Sequence, residues 1–315
     1  MTEEKARTAP SCGDEALTRE QIEVWFRELS NWGRWGAEDE LGALNLITPQ
    51  KRIAAAALVR EGACISLARD AIKQRMGVSA PFEHTMVSWG ATRGAEGAAD
   101  IFSVQFHGYT QTHLDALCHI FHEGAIFNGV PQQSVSAAGA ERMSVVVMKD
   151  GIVTRGVLMD MPRIFNRQYL LPGDAICTQH LDACVERSGV RPASGDALIL
   201  RTGRWAREAA EGPWDIEAGS AGLHASCLPW LKAHDIAVLV TDLAADLLPS
   251  RVAGVRMPIH LVTIGALGVP IIDNCDLEPL SRYAETHRRR EFLFFASPLA
   301  VPGGTGSPIN PVAMF

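Results

Sequence analysis

Three ionisable side chains, His113, Asp115 and His119, fall within seven residues, set among Leu114, Ala116, Leu117, Ile120 and Phe121. An apolar stretch like this is bound for the interior, where an unpaired charge is expensive. The fold must therefore bring these groups partners, or an ion. In an extended chain side chains alternate, so His113 and Asp115 project to the same side. An imidazole nitrogen beside a carboxylate oxygen is half of a divalent-metal site. His119, four residues past Asp115, lines the same cavity as a ligand or a proton shuttle. The same spacing also occurs as an ordinary surface hydrogen bond, so a site requires partners from elsewhere in the chain.

Those partners lie far downstream. His260, in Met257-Pro258-Ile259-His260-Leu261, begins an apolar run and reads either as a ligand or as a satisfied core histidine. Asp273 closes the apolar Ile271-Ile272 pair, as a ligand or a turn residue. Asp242 and Asp246 follow a buried strand and either support a site or cap a helix. Other chemistries have little support. There is no G-x-S-x-G elbow and no Walker or Rossmann glycine pattern. Gly303-Gly304-Thr305-Gly306-Ser307-Pro308 does not lead into a helix, which argues against a phosphate cradle. Cys118 adjoins His119, but neighbours in a chain point apart, which disfavours a thiol nucleophile.

The surrounding pattern is mixed α and β. Thr18 and Gln21 have capping-box spacing ahead of Ile22, Trp25, Phe26 and Leu29, which predicts a helix. A second helix starts at Thr48-Pro49 and is closed by Gly62. Strands are expected at 64–68, 101–106, 144–148, 153–159, 197–201, 236–241 and 291–296, with helices at 178–188 and 228–233. Regular structure is expected to end in the Pro- and Gly-rich tail after Pro298. This is an α/β or α+β pattern. It forms one domain over 18–315 with a helical arm at about 18–62, behind a mobile tail at 1–17.

The net charge is −7, which argues against nucleic acid as a partner, since phosphate binding needs concentrated positive charge. Arg288-Arg289-Arg290 is read as a solvated turn or helix end. The most apolar stretch, 259–272, is too short to span a bilayer and contains His260, so no membrane partner is expected. The first residues have no apolar h-region. Seven cysteines lack CxxC spacing and are odd in number. They are expected to be mostly buried thiols of a cytoplasmic protein.

Thr112-His113-Leu114-Asp115-Ala116-Leu117-Cys118-His119 resembles the His-x-Gly-Thr-His-x-Asp-x-Pro-x-His signature of the cyclase family, which includes kynurenine formamidases and isatin hydrolases. Asn31-Trp32-Gly33-Arg34-Trp35-Gly36, Gly195-Asp196, Arg201-Thr202-Gly203, Thr241-Asp242, His260, Asp273-Asn274 and Asn310-Pro311 follow in the family's order. The resemblance implies a swivelling β/β/α fold and a homodimer or homotetramer. It implies a divalent metal, zinc or manganese, used to hydrolyse an amide-like C–N bond in a small cyclic or aryl-bearing substrate. By position, His113, Asp115, His260 and Asp273 become metal ligands and His119 the catalytic histidine. The signature's first His falls on Tyr109, its Gly on Gln111 and its Pro on Leu117. One ion per chain is therefore expected; His107, two residues earlier on the same strand face, is the alternative ligand that would restore a second. Trp32, Trp35, Trp89, Tyr109 and Phe127 are candidates for the substrate pocket wall. A lactone hydrolase or ring cyclase is the alternative enzyme, and a non-catalytic metal- or ligand-binding protein the alternative of another class.

Overall fold

A computed structural model describes residue 12 and residues 17–74 and 81–315. The expected mobile tail lies almost wholly outside the described residues. The first helix, α1 (Arg19–Glu28), starts where Thr18 accepts a hydrogen bond from the Gln21 amide. It buries Ile22 and Phe26. The second, α2 (Pro49–Ala56), is capped by Thr48 and ends earlier than expected. Gly62, at φ +70°, instead turns the chain into a strand.

The strands follow in order: β1 (Cys64–Ser66), β2 (Glu83–Ser88), β3 (Ala99–Ser103), β4 (His113–Asp115), β5 (Ile152–Asp160), β6 (Ala197–Arg201), β7 (Val238–Thr241), β8 (Ile271–Asp273), β9 (Glu291–Ala296), β10 (Gly306–Pro308) and β11 (Val312–Met314). The main later helices are α3 (Thr178–Ser188), α4 (Arg204–Glu211), α5 (Leu228–Ala233), α6 (Pro258–Gly265) and α7 (Glu278–His287). Among the described residues, nine strands form one sheet in the order β1-β11-β9-β5-β6-β7-β8-β4-β10. The central β5, β6, β7 and β8 run parallel, and the flanking strands are antiparallel. Every residue of β6, β7 and β8 is buried, as expected for parallel strands covered on both faces. This is a mixed α/β fold. The arm at 18–62 packs on its own chain: α1 lies against α6, with the Phe26 ring beside Gly265.

Four expectations change. Residues 145–148 form a 3-10 helix rather than a strand, since i,i+3 spacing drives Val145 and Met148 into the core. Packing overrides the β preference of three valines in a row. The strand expected at 101–106 is β3, which ends at Ser103 and pairs only with β2, in a hairpin with exposed Ile101 and Phe102. The tail keeps its regular structure, because β10 and β11 both join the sheet. Pro308 is tolerated there as the last residue of an edge strand. Not all cysteines are free: Cys12 and Cys177 are joined, with Cα atoms 5.7 Å apart. A sequence separation of 165 hides that pairing from sequence inspection. No described helix is long and apolar enough to cross a membrane.

Candidate metal centre

The centre is built on β4. The strand lies between β8 and β10, with His113 opposite Asp273 and Asp115 opposite Ile271. Alternation sends Leu114 into the core and places His113 and Asp115 together, with His113 Nε2 3.4 Å from Asp115 Oδ1. Close packing of β10 needs Gly306, since a Cβ there would collide with the Leu114 carbonyl and the His107 ring. Beyond β4 the chain turns, the His119 amide bonding the Ala116 carbonyl, and His119 Nε2 comes within 3.8 Å of Asp115 Oδ2.

His260 arrives from the first turn of α6. Asp246 caps that helix by accepting the amides of Ile259 (2.7 Å) and His260 (3.0 Å). The same carboxylate faces His260 Nδ1 at 2.6 Å. The other ring nitrogen, Nε2, therefore points into the centre, 3.2 Å from Asp273 Oδ2 and 3.8 Å from Asp115 Oδ2. Thr241 fixes Asp273 by donating to its Oδ1 at 3.0 Å. Asp246 thus combines both roles open to it, and Asp242 accepts the Thr202 and Gly203 amides at the start of α4.

The electrostatics follow from this crowding. Burial alone pushes the Asp115 carboxyl up, but the imidazoles of His119, His113 and His107 outweigh it and hold it well below the carboxylate range. Burial likewise lowers His260, but Asp273 and Asp246 on either side raise it well above the usual histidine value. His113 is also raised, Asp115 and Asp273 prevailing over burial. His119 goes the other way, pushed down to about 4 chiefly by burial, so its ring is neutral near pH 7.

His107 completes the arrangement. Its ring stacks on His119 with centroids 3.9 Å apart and planes 5° from parallel. Its Nδ1 lies 2.8 Å from Asp115 Oδ1, yet the two are not aligned for a hydrogen bond, and both atoms are buried without any hydrogen-bond partner. Two sets of ligand atoms meet on Asp115: His107, Asp115 and His119 in one, and His113, Asp115 and Asp273 in the other. Imidazole nitrogens and carboxylate oxygens at this spacing suit zinc or manganese. A shared cation would satisfy the two orphaned atoms, so the residues fit such an ion.

Residues 76–245, more than half of the chain, match the Cyclase family model. The chain belongs to the cyclase family. A crystal structure described as a novel cyclase superposes with a TM-score of 0.82 at 28% identity, covering 91% of this chain and all of that one. Isatin hydrolase A from Ralstonia solanacearum gives a TM-score of 0.59 at 17% identity, over 84% of this chain and 97% of its own. Isatin hydrolase A from Labrenzia aggregata, bound to benzyl benzoate, gives 0.58 at 18%, over 84% and 98%. No curated protein sequence matches. The likeness to the isatin hydrolases is one of fold.

Within this cyclase-family fold, the five expected site residues His113, Asp115, His119, His260 and Asp273 converge. The proposed pocket wall does not gather in the same way. Phe127 is fully buried against Gly268. Trp32 donates its indole N–H to the Gly265 carbonyl at 2.8 Å, holding the arm to α6. Trp35 lies under the Arg34 guanidinium. Trp89 is exposed at the β2–β3 turn. Tyr109 stands at the signature's first-histidine position, but its hydroxyl accepts from Arg256 at 2.9 Å. Burial pushes that phenol up to about 12, which makes it a poor ligand. Sequence reasoning missed Arg204, which carries no motif, gave Asn274 a place in a family block but no role, and left Asp246 between two roles.

Proposed function

We propose that this cyclase-family chain is a metal-dependent hydrolase that uses water to cleave an amide-like C–N bond in a small cyclic or aryl-bearing substrate. The observation that carries this reading is the orphaned pair His107 Nδ1 and Asp115 Oδ1 at the junction of two ligand sets. The isatin hydrolase folds support the substrate class. Of the first set, His107 and Asp115 would hold one divalent ion, zinc or manganese, and His119 beside them would stay unligated as the proton-transfer group. His113, Asp115 and Asp273 would hold a second, with His260 directed at the same carboxylates. Sequence led to an expectation of a single ion; two positions are proposed because His107 reaches Asp115 while Tyr109 is engaged by Arg256. The chemistry such an ion supplies is Lewis acidity, which brings the pKa of water down to about 7 and polarises a carbonyl.

The chain's own groups do the rest. His119, the least buried of the converging imidazoles apart from His107 and neutral near pH 7, accepts the proton of the attacking water at Nε2 and returns it to the leaving nitrogen. Its stacking on His107 fixes the ring plane. Asp246 holds His260 through Nδ1, and Thr241 holds Asp273, so neither ligand side chain must reorganise. A homo-oligomeric, cytoplasmic enzyme remains part of this proposal.

The experiment is turnover of formanilides, isatin-like cyclic amides and lactones, beside elemental analysis of protein purified without a histidine tag. About two ions per chain and hydrolysis of the amides would bear the reading out. Turnover confined to lactones would favour the ring-opening or cyclase alternative. Metal without any turnover would favour a binding protein.

A further inference from the structure

Arg204 opens α4 and is 2% exposed. Its guanidinium has two hydrogen-bond acceptors, and both are uncharged: Asn274 Oδ1, at 2.5 Å from Nη1, and the Tyr109 carbonyl. Its Nε is buried with no partner, and burial pushes the group down to about 10. The Glu208, Asp242 and Asp273 carboxylates and the Trp205 ring, 4.1 Å away, offset part of that burial without hydrogen-bonding the guanidinium, and apolar packing commonly serves stability as well as a buried cation does. Packing alone therefore gives no reason for an arginine here.

What Arg204 grips gives one. Asn274 directly follows Asp273 and sits in the left-handed region at φ 58°, which asparagine tolerates. Its side-chain amide donates to the carbonyls of Gly108 (2.7 Å) and Gln111 (3.1 Å). Its own carbonyl accepts from Thr112 Oγ1 at 2.8 Å. Arg204 takes the Tyr109 carbonyl in between. The neighbouring Trp205 donates to the Cys275 carbonyl at 2.8 Å. Together these bonds fasten the irregular loop 107–111 to the end of β8. That loop carries His107 at one end and leads into His113 at the other.

We propose that Arg204 and Asn274 act as one positioning unit, clamping the loop that carries His107 against the β8 carboxylate and so setting the centre's affinity for its ions. This rests on the metal reading above. The planar fork of a guanidinium reaches two acceptors in different directions, which a lysine ammonium does not reproduce.

The test uses cobalt(II) as probe on the full chain, with affinity measured by chelator competition and coordination by visible absorbance. Arg204→Met and Asn274→Ala are each expected to lose about 10–100-fold in cobalt affinity, as outer partners of metal ligands do. Arg204→Lys should recover part of this loss. The double variant should be no weaker than the worse single, because the two residues act together. Normal cobalt affinity and spectrum in folded Asn274→Ala and Arg204→Met protein would overturn the proposal. If Arg204→Met does not fold, Asn274→Ala and Arg204→Lys decide. His113→Ala is the control: if it retains cobalt as the wild type does, the metal reading fails and this inference falls with it.

Discussion

In the proposed reaction, turnover and ion binding part company at His119. A neutral imidazole on the open side of a carboxylate-rich centre serves as a base, so His119→Ala should lower kcat by about 10²–10⁴-fold. The bound metal should remain, held by the better buried ligands. His113→Ala should instead lose metal, and comparing elemental content with kcat in the two variants separates the roles. His113, Asp115 and His119 were legible because the period of an extended chain puts the first two on one side. His107 was harder to see. The signature's register falls on Tyr109, and only the turn at Gly108, with φ 130°, brings the imidazole two residues earlier onto Asp115.

At the scale of elements, the start of α6 is the joint between fold and centre. Asp246 accepts two amides there and one imidazole nitrogen. Asp246→Ala should lose a cap worth about 0.5–2 kcal/mol and free the His260 ring. The expected result is a lower midpoint in urea together with weaker metal retention, and a change in only one of them would contradict this joint role. The β10 edge gives a second prediction. Gly306→Ala would force its Cβ into the Leu114 carbonyl and the His107 ring, and overpacking of this kind costs about 1–3 kcal/mol. Thermal unfolding should show it. Elements with signals of their own appeared as expected: the Thr18 cap of α1, the Pro49 start of α2, and Gly189 at φ +69°, which ends α3. Residues 145–148 and the tail strands did not, because their conformations depend on what they pack against.

Across the whole molecule, the parallel strands are tied to α7 at one end by buried charge. Asp160, at the end of β5, accepts from Arg201 at 2.7 Å, from Arg163 at 2.9 Å and from Ser281 at 2.6 Å. Arg201 also binds Glu278 at 2.8 Å. Burial alone would raise the Asp160 carboxyl, but Arg201 and the other donors outweigh it and lower it. A carboxyl lowered by folding contributes its stability above the unfolded value of about 3.9 and loses it as pH falls through the folded value. Asp160→Asn should therefore cost about 3–5 kcal/mol at pH 7, with the gap to wild type narrowing below about pH 4. Urea titrations at several pH values check this. Removing metal with a chelator should also lower the Tm, by the free energy of the lost binding.

The sequence by itself determined the mixed α/β class, the starts of α1 and α2, the limits of α3 and α5, most of the buried central strands, and His113, Asp115, His119, His260 and Asp273 as the residues to look for. Each of these follows from local periodicity, a capping residue or a run of residues matching a known family. Tertiary structure alone decided which helix or strand carries each candidate ligand, the approach of His107 rather than Tyr109 to Asp115, the Cys12–Cys177 link, and the contacts of Asp246, Arg204 and Asn274. The physical reason is reach. Capping and alternation act over a few residues, whereas Arg204 meets Asn274 across 70 residues of chain, a contact that no local pattern encodes.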